Sequence, residues 1–246
     1  MRPLSDFTTL TFDCYGTLID WEAGILAELR PWAHQHGLSL TDDALLEAFG
    51  TTEAAAEADH PTFRYPQILE ETLRRLSNRW KVTTSEDAVA DFGQSVGRWP
   101  AFPDSPAALA YLKQHYKLVI LSNVDHASFA KSNARLGVQF DRIVTAQDVG
   151  SYKPDLRNFR HMLDDVQRTL GTAPHQILHT AQSIFHDVVP AKSVGLATMW
   201  INRRKAVGGG WGATPAPSAS GDATRPDYEV GSMGEFAERH RAETTR

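Results

Sequence analysis

Residues Thr9 to Glu22 read TLTFDCYGTLIDWE: an alternating run ends in Asp13, and a turn through Gly16 follows it at once. A carboxylate leaving a strand can attack carbon or phosphorus and form a covalent ester, which divides one hard displacement into two easier steps. It must be ionised and oriented to do so. Lys153, in GSYKPD, can supply the positive charge that keeps Asp13 ionised, and the hydroxyl and amide groups of Thr17, Ser122 and Asn123 can position it. Asp187, in QSIFHD, can orient the lysine or activate a hydrolytic water, with Gln182 and Ser183 close before it. Alone, each has a plainer reading as a turn, a helix cap or a solvated charge. Their order, each at the end of a short apolar run, points to an aspartate nucleophile. Ligands of open parallel sheets bind beyond the carboxyl ends of the strands.

The elements that must carry these residues follow from periodicity. Thr8–Phe12 is an expected first strand, and short apolar runs at Leu118–Leu121, Ile143–Val144, Ile177–Leu178 and Ala197–Ile201 alternate with helical segments. That alternation is the pattern of a mainly parallel sheet with crossovers. Between Trp21 and about Arg98 the pattern is helical: Ile25, Leu26, Leu29 and Trp32 form one stripe, Leu45, Leu46 and Phe49 a second after the cap Thr41, and Ile68, Leu69, Leu73 and Leu76 a third. A further helix is expected over Ser85–Arg98, stopped by WPAFPDSP. The expected fold is therefore α/β, a doubly wound Rossmann-like core (1–18 and 104–246) with an inserted α-helical cap domain (19–103) and a cleft between the two lobes. Ala206–Pro226, rich in Gly, Ala, Ser and Pro, reads as a surface loop or a flap over that cleft, and DYEVGSMGEFAERH as an edge strand and a terminal helix.

Composition narrows the partners. The chain has 246 residues, a net charge of -5 and a single cysteine, and its Lys and Arg form no basic tract, so nucleic acid is not an expected partner. No apolar run approaches the ~18 residues of a membrane helix, and the start MRPLSDF has no apolar signal core, so the cytoplasm is the expected compartment. An anionic small molecule would need a local positive site.

As a set, FDCYGTLID, LSN, YKPD and HTAQSIFHD resemble the four ordered motifs of the haloacid dehalogenase superfamily, over essentially the full length. Tyr15 stands where its magnesium phosphatases carry a second aspartate, and Gln182 and Ser183 stand near their usual GDS. An amide in place of a carboxylate disfavours a hard cation, and without the acid an alkoxide leaves unprotonated. The chain is similar instead to the L-2-haloacid dehalogenase branch. That resemblance implies a metal-independent hydrolase with no cofactor, in which Asp13 displaces the C2 substituent of a small carboxylic acid, an (S)-2-haloacid giving a 2-hydroxy acid and halide. It implies catalytic roles for Asp13, Lys153 and Asp187, with substrate held by backbone amides near Cys14 and Tyr15 and by Thr17, Ser122, Asn123, Gln182 and Ser183. A homodimer is a family-type expectation.

Two departures stand out. No arginine occurs over Thr41–Phe49, where the branch places the one that holds halide, so Arg64 is the nearest cap substitute, and Phe159 replaces a tyrosine. Opening of another C2 bond, such as that of a strained cyclic amine with His186 as proton donor, stays open. So do a magnesium phosphatase and a non-catalytic binding protein of the same fold. Trp21 reads as packing at the cap junction or as pocket lining, and the Cys14 side chain as core.

Overall fold

The computed structural model describes residues 2–204, 221 and 224–245. Six strands form one sheet: β1 Thr9–Phe12, β2 Lys117–Ser122, β3 Arg142–Thr145, β4 Ile177–Ala181, β5 Ala197–Ile201 and β6 Tyr228–Val230. Their order is β3-β2-β1-β4-β5-β6, and every neighbouring pair is parallel. β1 and β4 are buried at every residue, as expected of strands covered on both faces. One apolar cluster joins Leu10, Phe12, Leu118 and Ile120 to the cap, and a second packs Val119, Leu121 and Ile177 under Phe159 and Met162. The register aligns Phe12 with Ile120 on one side and with Thr180 on the other, so Asp13, Ser122 and Gln182 emerge side by side. The order reverses between β1 and β4, and such a switch point opens a crevice at the carboxyl ends.

The cap lies between β1 and the core helix α5 Ser105–Leu112 and consists of α1 Trp21–Gln35, α2 Asp42–Asp59, α3 Tyr65–Trp80 and α4 Glu86–Gly93. Side-chain caps fix three of these starts: Asp20 accepts from the Ala23 amide, Thr41 from Ala44 and Ser85 from Ala88. The two chain crossings between lobes are tied together, with Ile19 bridged antiparallel to Ala101 and the Asp20 amide donating to the Pro100 carbonyl at 2.8 Å. The single helix expected over Ser85–Arg98 is instead α4 followed by a 3-10 turn, Ser95–Arg98. Gly93 ends α4 beside α3, where a Cβ would lie 2.7 Å from Glu70 Cγ.

After β2 come α6 His126–Leu136, α7 Ala146–Val149, α8 Leu156–Leu170, a π-helical turn Ile184–Val188, α9 Val189–Ser193 and α10 Met233–Thr244. Most of the Ala206–Pro226 segment, expected as loop or flap, lies outside the described residues. Among the described residues no helix is long and apolar enough to cross a membrane.

At Gly24 on α1, a Cβ would meet Trp99 Cγ at 2.3 Å, and Trp99 is buried at the root of the cap. Gly24→Ala is therefore expected to destabilise the protein by about 1–3 kcal/mol despite the better helix propensity of alanine. Chemical denaturation checks this, and an unchanged midpoint would show that Trp99 moves aside freely.

Candidate active site

Three charged side chains meet under the cap. The Lys153 ammonium donates to Asp13 Oδ1 at 2.9 Å, to Asp187 Oδ1 at 2.7 Å and to the Leu121 carbonyl at 3.0 Å. All three of its protons are thereby used. The three side chains are almost wholly buried, at 6% exposure for Asp13, 2% for Lys153 and 1% for Asp187, so the charges hold only as a mutually paired group. Burial alone would lower the Lys153 pKa, but the two carboxylates outweigh it and hold the amine charged well above its ordinary range. Burial would likewise raise Asp187, and here Lys153 and His179 prevail, keeping it below the ordinary carboxylate value. For Asp13 burial prevails and pushes its pKa up, with Lys153 and Thr17 opposing.

The nucleophile is held from both sides. The Thr17 hydroxyl donates to Asp13 Oδ2 at 2.8 Å and accepts the Gln182 amide at 2.8 Å. Gln182 thus acts through its backbone rather than its side chain, and its carbonyl accepts from the Trp200 indole at 2.8 Å. Gly16, at φ +90°, makes the turn beside this contact, in a region where a side chain is strained. Asn123 holds the lysine backbone as a clamp: its Oδ1 accepts the Lys153 amide at 2.6 Å and its Nδ2 donates to the Lys153 carbonyl at 3.1 Å. The backbone N–H groups of Cys14 and Tyr15 have no protein acceptor among the described residues.

A cavity of about 80 Å³ opens above Asp13. At roughly 10–15 Å³ of such space per water, it takes a small organic molecule. Asp13, Asn123, Lys153, Ser183 and Asp187 line its floor, and Tyr15 and Trp21 its wall. Trp21 thus both lines the cavity and packs on Phe49, with ring centroids 5.9 Å apart. The Tyr15 hydroxyl is paired with Ser132 on α6 at 2.8 Å, and its ring stacks on Tyr65.

The other residues named from sequence take various places. Arg64 is exposed at the start of α3, its amide accepted by Gln67, and it does not line the cavity. The Cys14 side chain is fully buried in the core, as read from the strand alternation, and Cys14 does not line the cavity. Ser122 lies at the end of β2 with its Oγ buried and without a partner. His186 lines the cavity, yet burial lowers its pKa to about 4, so its ring is neutral near pH 7 and lacks the acidic imidazolium proton an amine would need; Ser183 Oγ lies 3.2 Å from its Nδ1.

Other residues were not anticipated from sequence. His179 on β4 meets Asp187 Oδ1 through Nε2 at 3.0 Å and Thr11 through Nδ1 at 2.8 Å, against the edge of Phe159. With Asp187 ionised, Nε2 donates to it. A polar residue inside the buried strand ILHTA was the available signal. From the cap, Glu53 and Glu57 of α2 and Tyr65 of α3 also line the cavity, and the Tyr65 hydroxyl donates to Glu53 Oε1 at 2.5 Å.

A family model for haloacid dehalogenase-like hydrolases matches residues 7–195. The chain belongs to that family. Over 241 residues, 96% of this chain and 99% of the relative, it is 27% identical to (S)-2-haloacid dehalogenase H-109 of Pseudomonas putida. It is 33% identical to the (S)-2-haloacid dehalogenase of Pseudomonas sp. strain YL, over 84% of this chain and 87% of that one. The fold matches L-2-haloacid dehalogenase from Xanthobacter autotrophicus with chloropropionic acid covalently bound, at TM-score 0.74 and 20% identity, covering 96% of this chain and 98% of that one. Membership makes the protein a hydrolase whose resemblance at the four motifs extends to the whole architecture, core and cap alike.

Proposed function

We propose that the protein hydrolyses the bond between C2 and its substituent in a small carboxylic acid, releasing halide and a 2-hydroxy acid from an (S)-2-haloacid. The observation that carries this reading is the setting of Asp13: a carboxylate fixed by Thr17 and Lys153 at the cavity floor, with a tyrosine committed to Ser132 where a phosphatase needs its second carboxylate. Asp13 attacks C2, the carbon–halogen bond breaks with inversion, and an aspartyl ester forms. Water then adds to the carbonyl carbon of that ester, the aspartyl bond breaks, and Asp13 is restored as the hydroxy acid leaves. Asp187 Oδ2 is buried, unpartnered and part of a side chain lining the cavity, which suits it to orient this water. The carboxylate of the substrate takes the free amides of Cys14 and Tyr15.

A magnesium ion fits these residues poorly. Asp187 Oδ1 is taken by Lys153 and His179 and the Asp13 oxygens by Lys153 and Thr17, and the ammonium lying between the two carboxylates repels a divalent cation. Among the described residues no group of three or more His, Cys, Asp or Glu is placed to hold a metal ion. The deciding assay measures halide from 2-haloacids with EDTA present, beside phosphate from an aryl phosphate with magnesium. Halide release that survives EDTA is the expected result. Phosphate release alone would establish the metal-dependent alternative, and silence in both would favour another C2 substituent or a binding protein.

A further inference from the structure

A departing amine, alkoxide or fluoride needs a proton or a strong hydrogen bond, and among the described core side chains that line the cavity none has an acidic proton free to give. Lys153 has spent its three protons, Tyr15 is paired with Ser132, and the His186 ring is neutral. Arg64 points away. The cap fills the gap. Glu53 and Glu57, one turn apart on α2, both line the cavity that contains the nucleophile. Glu57 is only 9% exposed. Its Oε2 lies 3.5 Å from Asn123 Nδ2, the outer limit of a hydrogen bond, and its other oxygen has no partner among the described residues. Tyr65 holds Glu53 beside it.

Two adjacent carboxylates without a cation of their own, Glu57 buried and Glu53 half-buried, do not both ionise. Burial, then the charge of Glu53, pushes the Glu57 pKa well above the ordinary range, while burial brings Glu53 to about 7. The groups facing Glu57 are Glu53 on its own helix, Tyr65 from α3, Asp13 and Tyr15 after β1, Tyr152 and Lys153 from the segment before α8, and His186 and Asp187 from the π-helical turn. Of these only Lys153 is a cation, already neutralised by two aspartates. At the rim, Asp155 and Arg157 pair with each other at 2.8 Å. Lys153 alone lowers the Glu57 pKa, and burial with the charge of Glu53 outweighs it.

Resting on the nucleophilic reading above, we propose that Glu57 is the general acid that protonates the group leaving the carbon attacked by Asp13. Its Glu53 neighbour, held by Tyr65, is a positioning residue. As the Asp13 oxygen bonds to carbon, the carbon–substituent pair passes to the leaving atom, which takes the Glu57 proton. The water that cleaves the ester leaves one proton on the hydroxy acid and returns the other to Glu57. The site thereby suits leaving groups that are poor without a proton, fluoride and nitrogen or oxygen substituents, beyond the bromide and chloride that depart unaided.

The test compares wild type with Glu57→Gln on 2-bromopropionate and 2-fluoropropionate. Glutamine keeps the size and an N–H but has no acidic proton. Bromide release is expected to stay within about threefold, and fluoride release to fall about 100-fold or more, the scale of a lost general acid. In wild type the fluoride reaction should decline as pH rises through the Glu57 pKa, and the variant should lack that limb. Equal losses on both substrates, or none on fluoride, would overturn the assignment. A difference infrared titration of the free proteins gives a second readout, a protonated carboxyl band at neutral pH that Glu57→Gln lacks. Release of neither halide by wild type would overturn the haloacid reading itself. The infrared titration then decides Glu57 alone: a retained proton supports its assignment and an ionised carboxylate overturns it.

Discussion

Asp13→Asn is expected to abolish turnover, by roughly 10⁴–10⁶-fold in kcat, while leaving the fold intact. The size follows from chemistry: an amide cannot form the ester, and losing a nucleophile removes a whole covalent pathway rather than one hydrogen bond. The intact fold follows from the contacts. Lys153 keeps Asp187 and the Leu121 carbonyl, and asparagine can still accept from Lys153 or Thr17. The repulsion between Asp13 and Asp187, which raises Asp13, disappears at the same time. The measurement is halide release beside thermal unfolding of the same preparation. Multiple turnovers of wild type in ¹⁸O water should label the Asp13 carboxylate, because the water oxygen enters at the aspartyl carbonyl. Substantial activity in Asp13→Asn, or label found only in product after many turnovers, would sink the ester mechanism.

The parts of the site legible in the sequence were those fixed by strand ends. Asp13, Ser122 and Gln182 each follow an apolar run, and the parallel register of β2, β1 and β4 makes neighbours of residues far apart in the chain. Asp187 and Lys153 were legible through their motifs, although only the structure shows one ammonium bridging two carboxylates. The cap was legible as helices and not as a wall. TTEAAAEAD has the glutamates four residues apart among alanines, the look of a solvated helix face, and it becomes cavity lining only when the cap closes over the core. The small side chains of Ala54 and Ala56 beside them were the signal of a close approach. Arg64 illustrates the converse. As a charge it was the natural choice for an anion, but one step along the helix it is Tyr65 that turns inward, and the arginine stays in water. Side-chain type at an insertion reveals little until the helix rotation is known, whereas at a strand end the sheet leaves little choice.

Lys153→Met is the second large effect, and it acts on stability as well as chemistry. Methionine fills the lysine volume but leaves two buried carboxylates facing each other without a cation. Breaking a buried pair from one side costs about 3–5 kcal/mol. For a chain of this size that is a fall in Tm of roughly 6–20 °C. The loss depends on pH in a direction that identifies its cause. In wild type, Asp187 sits below its ordinary value, so its contribution is present above the unfolded pKa and is lost as pH falls through the folded one. Lys153 sits above its ordinary value, so its contribution is full below the unfolded pKa and fades as pH rises through the folded one, far above neutrality. Removing the ammonium deletes the main influence that lowers Asp13, leaving burial and Asp187, both of which raise it. The folded variant then binds more protons than the unfolded chain, so its stability should fall as pH climbs from about 4 through the raised pKa, more steeply than in wild type, where Lys153 restrains the rise of Asp13. Thermal melts of both proteins between pH 4 and 8 measure this. Parallel curves for the two would mean that the aspartates find another counter-charge, and the paired trio would lose its place as the element that keeps the nucleophile ionised.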